Sequence, residues 1–132
     1  MKHFEDFNLK NTTLDFINKN GFVDPTPIQE EVIPPVLKGK DIIGISKTGS
    51  GKTHAYLIPI MEMVDSSSNH PFAVITAPTR ELAVQIYEKA SVLQKVDKNI
   101  RIQLYVGGKD RIKDIKQLES QQPHIVIGTP GR

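Results

Sequence analysis

Gly44-Ile45-Ser46-Lys47-Thr48-Gly49-Ser50-Gly51-Lys52-Thr53, GISKTGSGKT, is the stretch that decides how this chain is read. An apolar run, Asp41–Ser46 (DIIGIS), leads into it, and a helical pattern (THAYLIPIMEMV) leaves it at Thr53, with Pro59 expected to kink the helix. Strand, glycine-rich loop and helix in that order form the context of a phosphate cradle. Glycines let successive backbone N–H groups turn inward, and the new helix adds its unpaired N–H groups and positive dipole end. Lys52 supplies a mobile cation for outer phosphates, and the Thr53 hydroxyl suits a magnesium ion. The general pattern places glycine where this chain has Ser46, a small residue that still lets the loop close. The bland alternative is a helix start after a flexible turn, with Lys52 merely solvated. Strand, loop, Lys-Thr and helix all in register favour the cradle.

Working outward, three more β-branched apolar runs appear: Phe72–Ala77 (FAVITA), Ile100–Val106 (IRIQLYV) and His124–Gly128 (HIVIG). The first, second and fourth of the four runs are continuous rather than alternating, the habit of strands buried on both faces of a parallel sheet. Helical patterns lie between them. Leu82, Ile86, Ala90 and Leu93 line one face of the segment after Thr79, and Ile112, Ile115 and Leu118 do so in 109–120. The mixed charges of Lys109–Glu119 read as a solvated helix face. Alternating strands and helices predict an α/β fold with right-handed crossovers. Two helices are expected before the first strand: Thr13–Asn20, stopped at Gly21, and one starting at Thr26-Pro27, which Pro34-Pro35 should end or kink.

Composition sets bounds. With 132 residues, 38% hydrophobic and 24% charged, the chain is one ordinary globular domain's worth at most. It has no cysteine, no long apolar run and no secretory-type start, so a cytoplasmic protein away from membranes is expected. The net charge of +2 is too small to argue for nucleic acid by itself. The four histidines show no metal-ligand spacing, and Asn11-Thr12-Thr13 matches a glycosylation acceptor only by chance.

Gly21-Phe22-Val23-Asp24-Pro25-Thr26-Pro27-Ile28-Gln29 is the second constellation. A glutamine amide matches the donor and acceptor on an adenine edge, and Phe22 is placed to cover a base. Thr26 and Gln29 also fit a capping box, a purely structural task. The residues leave both readings open.

In a parallel sheet, ligands gather beyond the carboxyl ends of the strands. The second run ends at Pro78-Thr79-Arg80, the third at Gly107-Gly108 and the fourth at Thr129-Pro130-Gly131-Arg132. Glycine, threonine, arginine and helix N-termini suit nucleic-acid backbone, and 2′-hydroxyl contacts would favour RNA. Singly, each loop reads better as a turn or a helix cap.

Together, GFVDPTPIQ, SKTGSGKT, APTRELAVQ, the glycine pair and TPGR stand in the order and spacing of the DEAD-box ATP-dependent RNA helicases, which this chain resembles over almost its whole length. The resemblance implies a RecA-like P-loop three-layer sandwich with a mostly parallel sheet. In this family the glutamine motif reads adenine, so Gln29 would bond the base and Phe22 stack on it. Asp24 and Thr26 would lie nearby, and Phe4 matches the upstream aromatic. Ser46, Lys47, Thr48, Gly49, Ser50, Gly51, Lys52 and Thr53 would hold ATP, with Lys52 and Thr53 catalytic and Thr53 on Mg2+. Pro78, Thr79, Arg80, Gly107, Gly108, Thr129, Pro130, Gly131 and Arg132 would touch RNA backbone. Residues 1–132 would then be part of the first RecA-like domain, 1–30 the glutamine-motif region and 31–132 the phosphate-loop and RNA-contacting part. The resemblance also implies that the D-E-A-D strand, its metal-organising acids and a second RecA-like domain lie beyond Arg132. The chain alone is therefore expected to be catalytically inactive. The alternatives are a non-catalytic nucleotide- or RNA-binding fragment and a small P-loop kinase.

Overall fold

A computed structural model describes residues 3–106, 115–116 and 122–131. The backbone groups into two compact units, Met1–Met63 and Val64–Arg132.

The first unit is helical. A 3-10 turn over Phe4–Phe7 precedes α1 (Asn11–Lys19), α2 (Pro27–Leu37) and α3 (Lys52–Met63). The start of α1 is satisfied from a distance, because the Glu62 carboxylate accepts from the Lys10 N–H and the Thr13 hydroxyl, both at 2.8 Å. Its end follows the sequence reading: Gly21 adopts φ +74°, a left-handed conformation suited to glycine, and the Phe22 N–H returns to the Ile17 carbonyl. Helices α1 and α2 both pack on α3, burying Phe16, Ile17, Ile33, Leu57 and Ile58.

Two expectations for this unit need correction. Helix α2 runs through Pro34-Pro35 and stops at Leu37. A proline removes its own N–H bond back into the preceding turn, and α2 tolerates two such losses in its last turn. Lys38 and Gly39 then close the end through backbone bonds to Pro35 and Val36. The second correction concerns Asp41–Ser46, which forms no strand among the described residues. A strand exists through its ladder, and no described residue pairs with this one. Ile43 and Ile45 are 93% and 89% exposed in consequence.

Among the described residues the second unit is a three-stranded parallel sheet with helices. Its elements are β1 (Ala73–Thr76), α4 (Arg80–Ala90), α5 (Val92–Val96), β2 (Ile102–Tyr105) and β3 (Ile125–Gly128). The strand order is β1-β3-β2, so the last strand in sequence is the central one. Its Ile125 and Ile127 are fully buried. Strand β1 departs from the two-sided burial expected of it: Val74 is 69% exposed and burial alternates along the strand. Among the described residues it stands at the sheet edge, with a ladder partner on one flank.

Helix α4 packs on β2 and β3. Its buried stripe is Ala83, Ile86 and Ala90, continued by Leu93, whereas Leu82 is 39% exposed. Spacings of three, four and three follow the helical period, while a run starting at Leu82 drifts off the face. The helix expected over 109–120 falls largely outside the described residues; Ile115 and Lys116 are helical.

One polar cluster ties the second unit's loops to its sheet. The buried His124 accepts the Arg101 N–H at its Nδ1 (2.9 Å), so Nε2 carries the proton and donates to the Ser68 carbonyl at 2.7 Å. The Arg101 guanidinium reaches the Gln122 carbonyl and the Asn69 side chain.

Candidate functional site

The phosphate-loop residues lie in the first unit, ahead of α3. Gly49 and Gly51 take φ +83° and +91°, conformations that other residues rarely adopt. The Ser50 N–H and hydroxyl both donate to the Lys47 carbonyl, at 3.2 and 2.6 Å. With its own proton so committed, Ser50 Oγ accepts from the Ser46 hydroxyl. Lys52 Nζ donates to the Ser46 carbonyl at 2.7 Å. Ser46, the residue that departs from the general pattern, is thus stitched into the loop twice, and no glycine there could make the hydroxyl bond.

Thr53, in the first turn of α3, is half-buried. The Tyr56 side chain hydrogen-bonds it, which lowers the phenol's pKa, but burial has the larger effect and pushes that pKa up. No group of three His, Cys, Asp or Glu residues able to hold a metal occurs among the described residues. Thr53 is therefore a single candidate ligand rather than part of a formed metal centre.

Gln29 settles what its sequence context left open on the structural side. It is 1% exposed. Its Oε1 accepts the Thr26 N–H at 3.0 Å, the capping-box bond, and its Nε2 donates to the Gly51 carbonyl at 3.2 Å. The return half of the box, Thr26 Oγ1 toward the Gln29 N–H, is in place in outline without a well-formed bond. That hydroxyl is buried and unpartnered. A Cβ on Gly51 would sit 2.6 Å from Gln29 Nε2 and 3.0 Å from Thr26 Oγ1, so only glycine fits. The start of α2 and the phosphate loop therefore meet through one buried amide.

The aromatics separate. Phe4 is buried and packs edge-on to Phe7, with ring centroids 6.3 Å apart. Phe22 is half-buried and meets the His54 ring at 4.7 Å, with planes 82° apart. Asp24 is exposed, and its carboxylate holds the His3 ring at 2.7 Å. Neither histidine contact was expected. His54 carried a weak signal, a polar residue in an apolar helical pattern directly after Lys52-Thr53.

In the second unit the parallel register aligns the strand ends. Thr76, Gly128 and Tyr105 are ladder partners in adjacent strands, so the segments that follow leave one edge of the sheet. Pro78, Thr79 and Arg80 follow β1, and Thr129, Pro130 and Gly131 follow β3. Thr79 Oγ1 accepts from the Leu82 N–H at 3.2 Å, the helix-cap role. Arg80 is exposed, with no acidic partner among the described residues. The Thr129 N–H bonds the Tyr105 carbonyl at 3.2 Å. Gly107, Gly108 and Arg132 lie outside the described residues.

Residues 26–132 match the DEAD/DEAH box helicase family. The chain belongs to that family. The match displaces the small P-loop kinase from the alternatives. Among DEAD-box relatives, CshB of Bacillus subtilis (strain 168), a DEAD-box ATP-dependent RNA helicase, is 47% identical across 98% of this chain. The ATP-dependent RNA helicase CshA of Listeria monocytogenes is 44% identical across all of it. This chain spans 30% and 25% of those two proteins. A crystal structure of a DEAD box protein from the hyperthermophile Methanococcus jannaschii superposes with a TM-score of 0.89 at 41% identity. It covers 98% of this chain, and this chain covers 35% of it. The α/β, RecA-like fold class expected of a DEAD-box protein is borne out.

Proposed function

We propose that this chain supplies the ATP-binding and part of the RNA-binding surface of a DEAD-box ATP-dependent RNA helicase. The observation that carries the reading is the Gln29 amide, which joins the Thr26 N–H to the Gly51 carbonyl. A base-recognising loop and a phosphate loop are thereby fixed within one side chain's length of each other, as a single nucleotide requires. Gln29 keeps a second amide hydrogen and a second Oε1 lone pair for an adenine edge. Phe22 covers the base, with Phe4, Asp24 and Thr26 supporting that end.

The loop Ser46–Thr53 fits a triphosphate. The two left-handed glycines let the backbone turn so that phosphate oxygens can approach its N–H groups closely. Lys52, exposed and donating to the Ser46 carbonyl at 2.7 Å, would exchange that carbonyl for the outer phosphates, and the Thr53 hydroxyl would be a ligand for Mg2+. ATP supplies phosphoryl-transfer chemistry when bound; these residues grip and orient it.

The exposed loops after β1 and β3, with Arg80 free of acidic partners among the described residues, grip RNA phosphates without reading sequence. Gly107, Gly108 and Arg132, outside the described residues, would also touch RNA backbone in this reading. A second RecA-like domain of the parent protein completes both sites, and the cytoplasm, where ATP and RNA coexist, is the compartment.

Separate titrations with ADP and a single-stranded RNA test the assignment. Lys52→Ala should abolish nucleotide binding and spare RNA binding, while Arg80→Ala should weaken RNA binding about three- to tenfold and spare ADP. The reverse pattern would overturn it.

A further inference from the structure

His54 lies in the first turn of α3, the turn that opens with Lys52 and Thr53. It is 7% exposed. Its ring touches two aromatics at once: Phe22 at 4.7 Å with planes 82° apart, and Phe16 at 5.9 Å with planes 37° apart. Phe16, on α1, is fully buried and immobilised by the core. The imidazole is therefore wedged between a fixed core ring and the ring that, in the reading above, covers the base. An edge-to-face contact of this kind fixes the plane of the outer ring. A half-buried phenylalanine without such a brace loses rotational freedom only when its ligand arrives, which weakens binding.

We propose that His54 is a positioning residue for base recognition, setting the ring plane of Phe22 from the same helical turn that presents Lys52 and Thr53. The inference rests on the reading that Phe22 covers the base. It gives one turn of helix two tasks, the phosphate side through Lys52 and Thr53 and the base side through His54. A residue that merely fills the core would affect both ligand ends alike, or neither.

Isothermal titration of the 132-residue chain with ADP and with pyrophosphate, which has no base, separates these possibilities. His54→Ala should weaken ADP binding about three- to tenfold and leave pyrophosphate unchanged. His54→Phe, which keeps an aromatic edge, should restore ADP affinity. His54→Leu, which fills the volume without one, should behave like alanine and serves if the alanine variant does not fold. In a Phe22→Ala background the His54→Leu penalty should vanish. An equal loss for ADP and pyrophosphate, or a penalty that persists without Phe22, would overturn the proposal while leaving the nucleotide site intact. If Phe22→Ala itself leaves ADP affinity unchanged while Lys52→Ala abolishes it, the base-covering role fails and this proposal falls with it.

Discussion

Gly51 is where the demands on single residues are sharpest. Its φ of +91° is strained for any side chain, and a Cβ would strike the Gln29 amide. Gly51→Ala should destabilise the chain by about 1–3 kcal/mol and weaken ADP binding at least tenfold. Urea unfolding and ADP titration together check both effects. His3 offers a pH test. Its pKa is raised from 6.5, chiefly by the hydrogen bond to Asp24, then by the charge of Asp24, with smaller contributions from Asp6 and Glu5. A raised histidine pKa means that the pair's contribution is full below about 6.5 and fades as pH climbs through the higher folded value. NMR titration should place the His3 midpoint above 6.5 and bring it back toward that value in Asp24→Asn. A midpoint indifferent to the substitution would count against the pair. The glycine demand at Gly51 was legible in the sequence, because backbone requirements are local. Both duties of Gln29 were foreseen as alternatives, and the structure shows the capping one. The His54 and His3 contacts were not legible, since each joins residues far apart in the chain through packing alone.

Elements were legible where hydrophobic period and neighbours agree. Helices α1, α2 and α3 and strands β1, β2 and β3 all lie within or close to their expected segments. Apart from the prolines inside α2, the misses share a cause: each depends on what lies beside the element, not along it. The run Asp41–Ser46 has strand composition but no ladder among the described residues, and β1 has strand form but an open flank. The central pairing of β2 with β3 imposes its own sequence requirement. A Cβ on Gly128 would run into the Tyr105 carbonyl, so the strand must end in glycine there. The His124 cluster tests how firmly loops and sheet are joined. His124→Phe would leave the Arg101 N–H without its acceptor and the Ser68 carbonyl with only the longer bond from Arg101 Nη2 at 3.5 Å, and should cost about 1–3 kcal/mol in urea unfolding. A loss under about 0.5 kcal/mol would mean that these groups find water or other partners.

For the molecule as a whole, exposed apolar surface is the dominant liability. Ile43, Ile45 and Val74 stand open, and α2, Lys40, Asp41, Ile42, Gly44 and α3 line an open, largely apolar groove of about 490 Å³ within the first unit. Contiguous apolar surface and unpaired strand-like backbone both promote association. Sedimentation velocity should show concentration-dependent self-association, reduced in the Ile43→Lys/Ile45→Lys variant. A wild-type chain that stays monomeric throughout would refute this. The sheet order has a temporal side as well. Because β3 lies between β1 and β2 but follows both in the chain, those two strands leave the ribosome before the partner they share. Until residues 125–128 emerge, the second unit has no sheet at all, only helices and two waiting edges. A chain so ordered depends, during synthesis, on whatever shields those edges until β3 arrives.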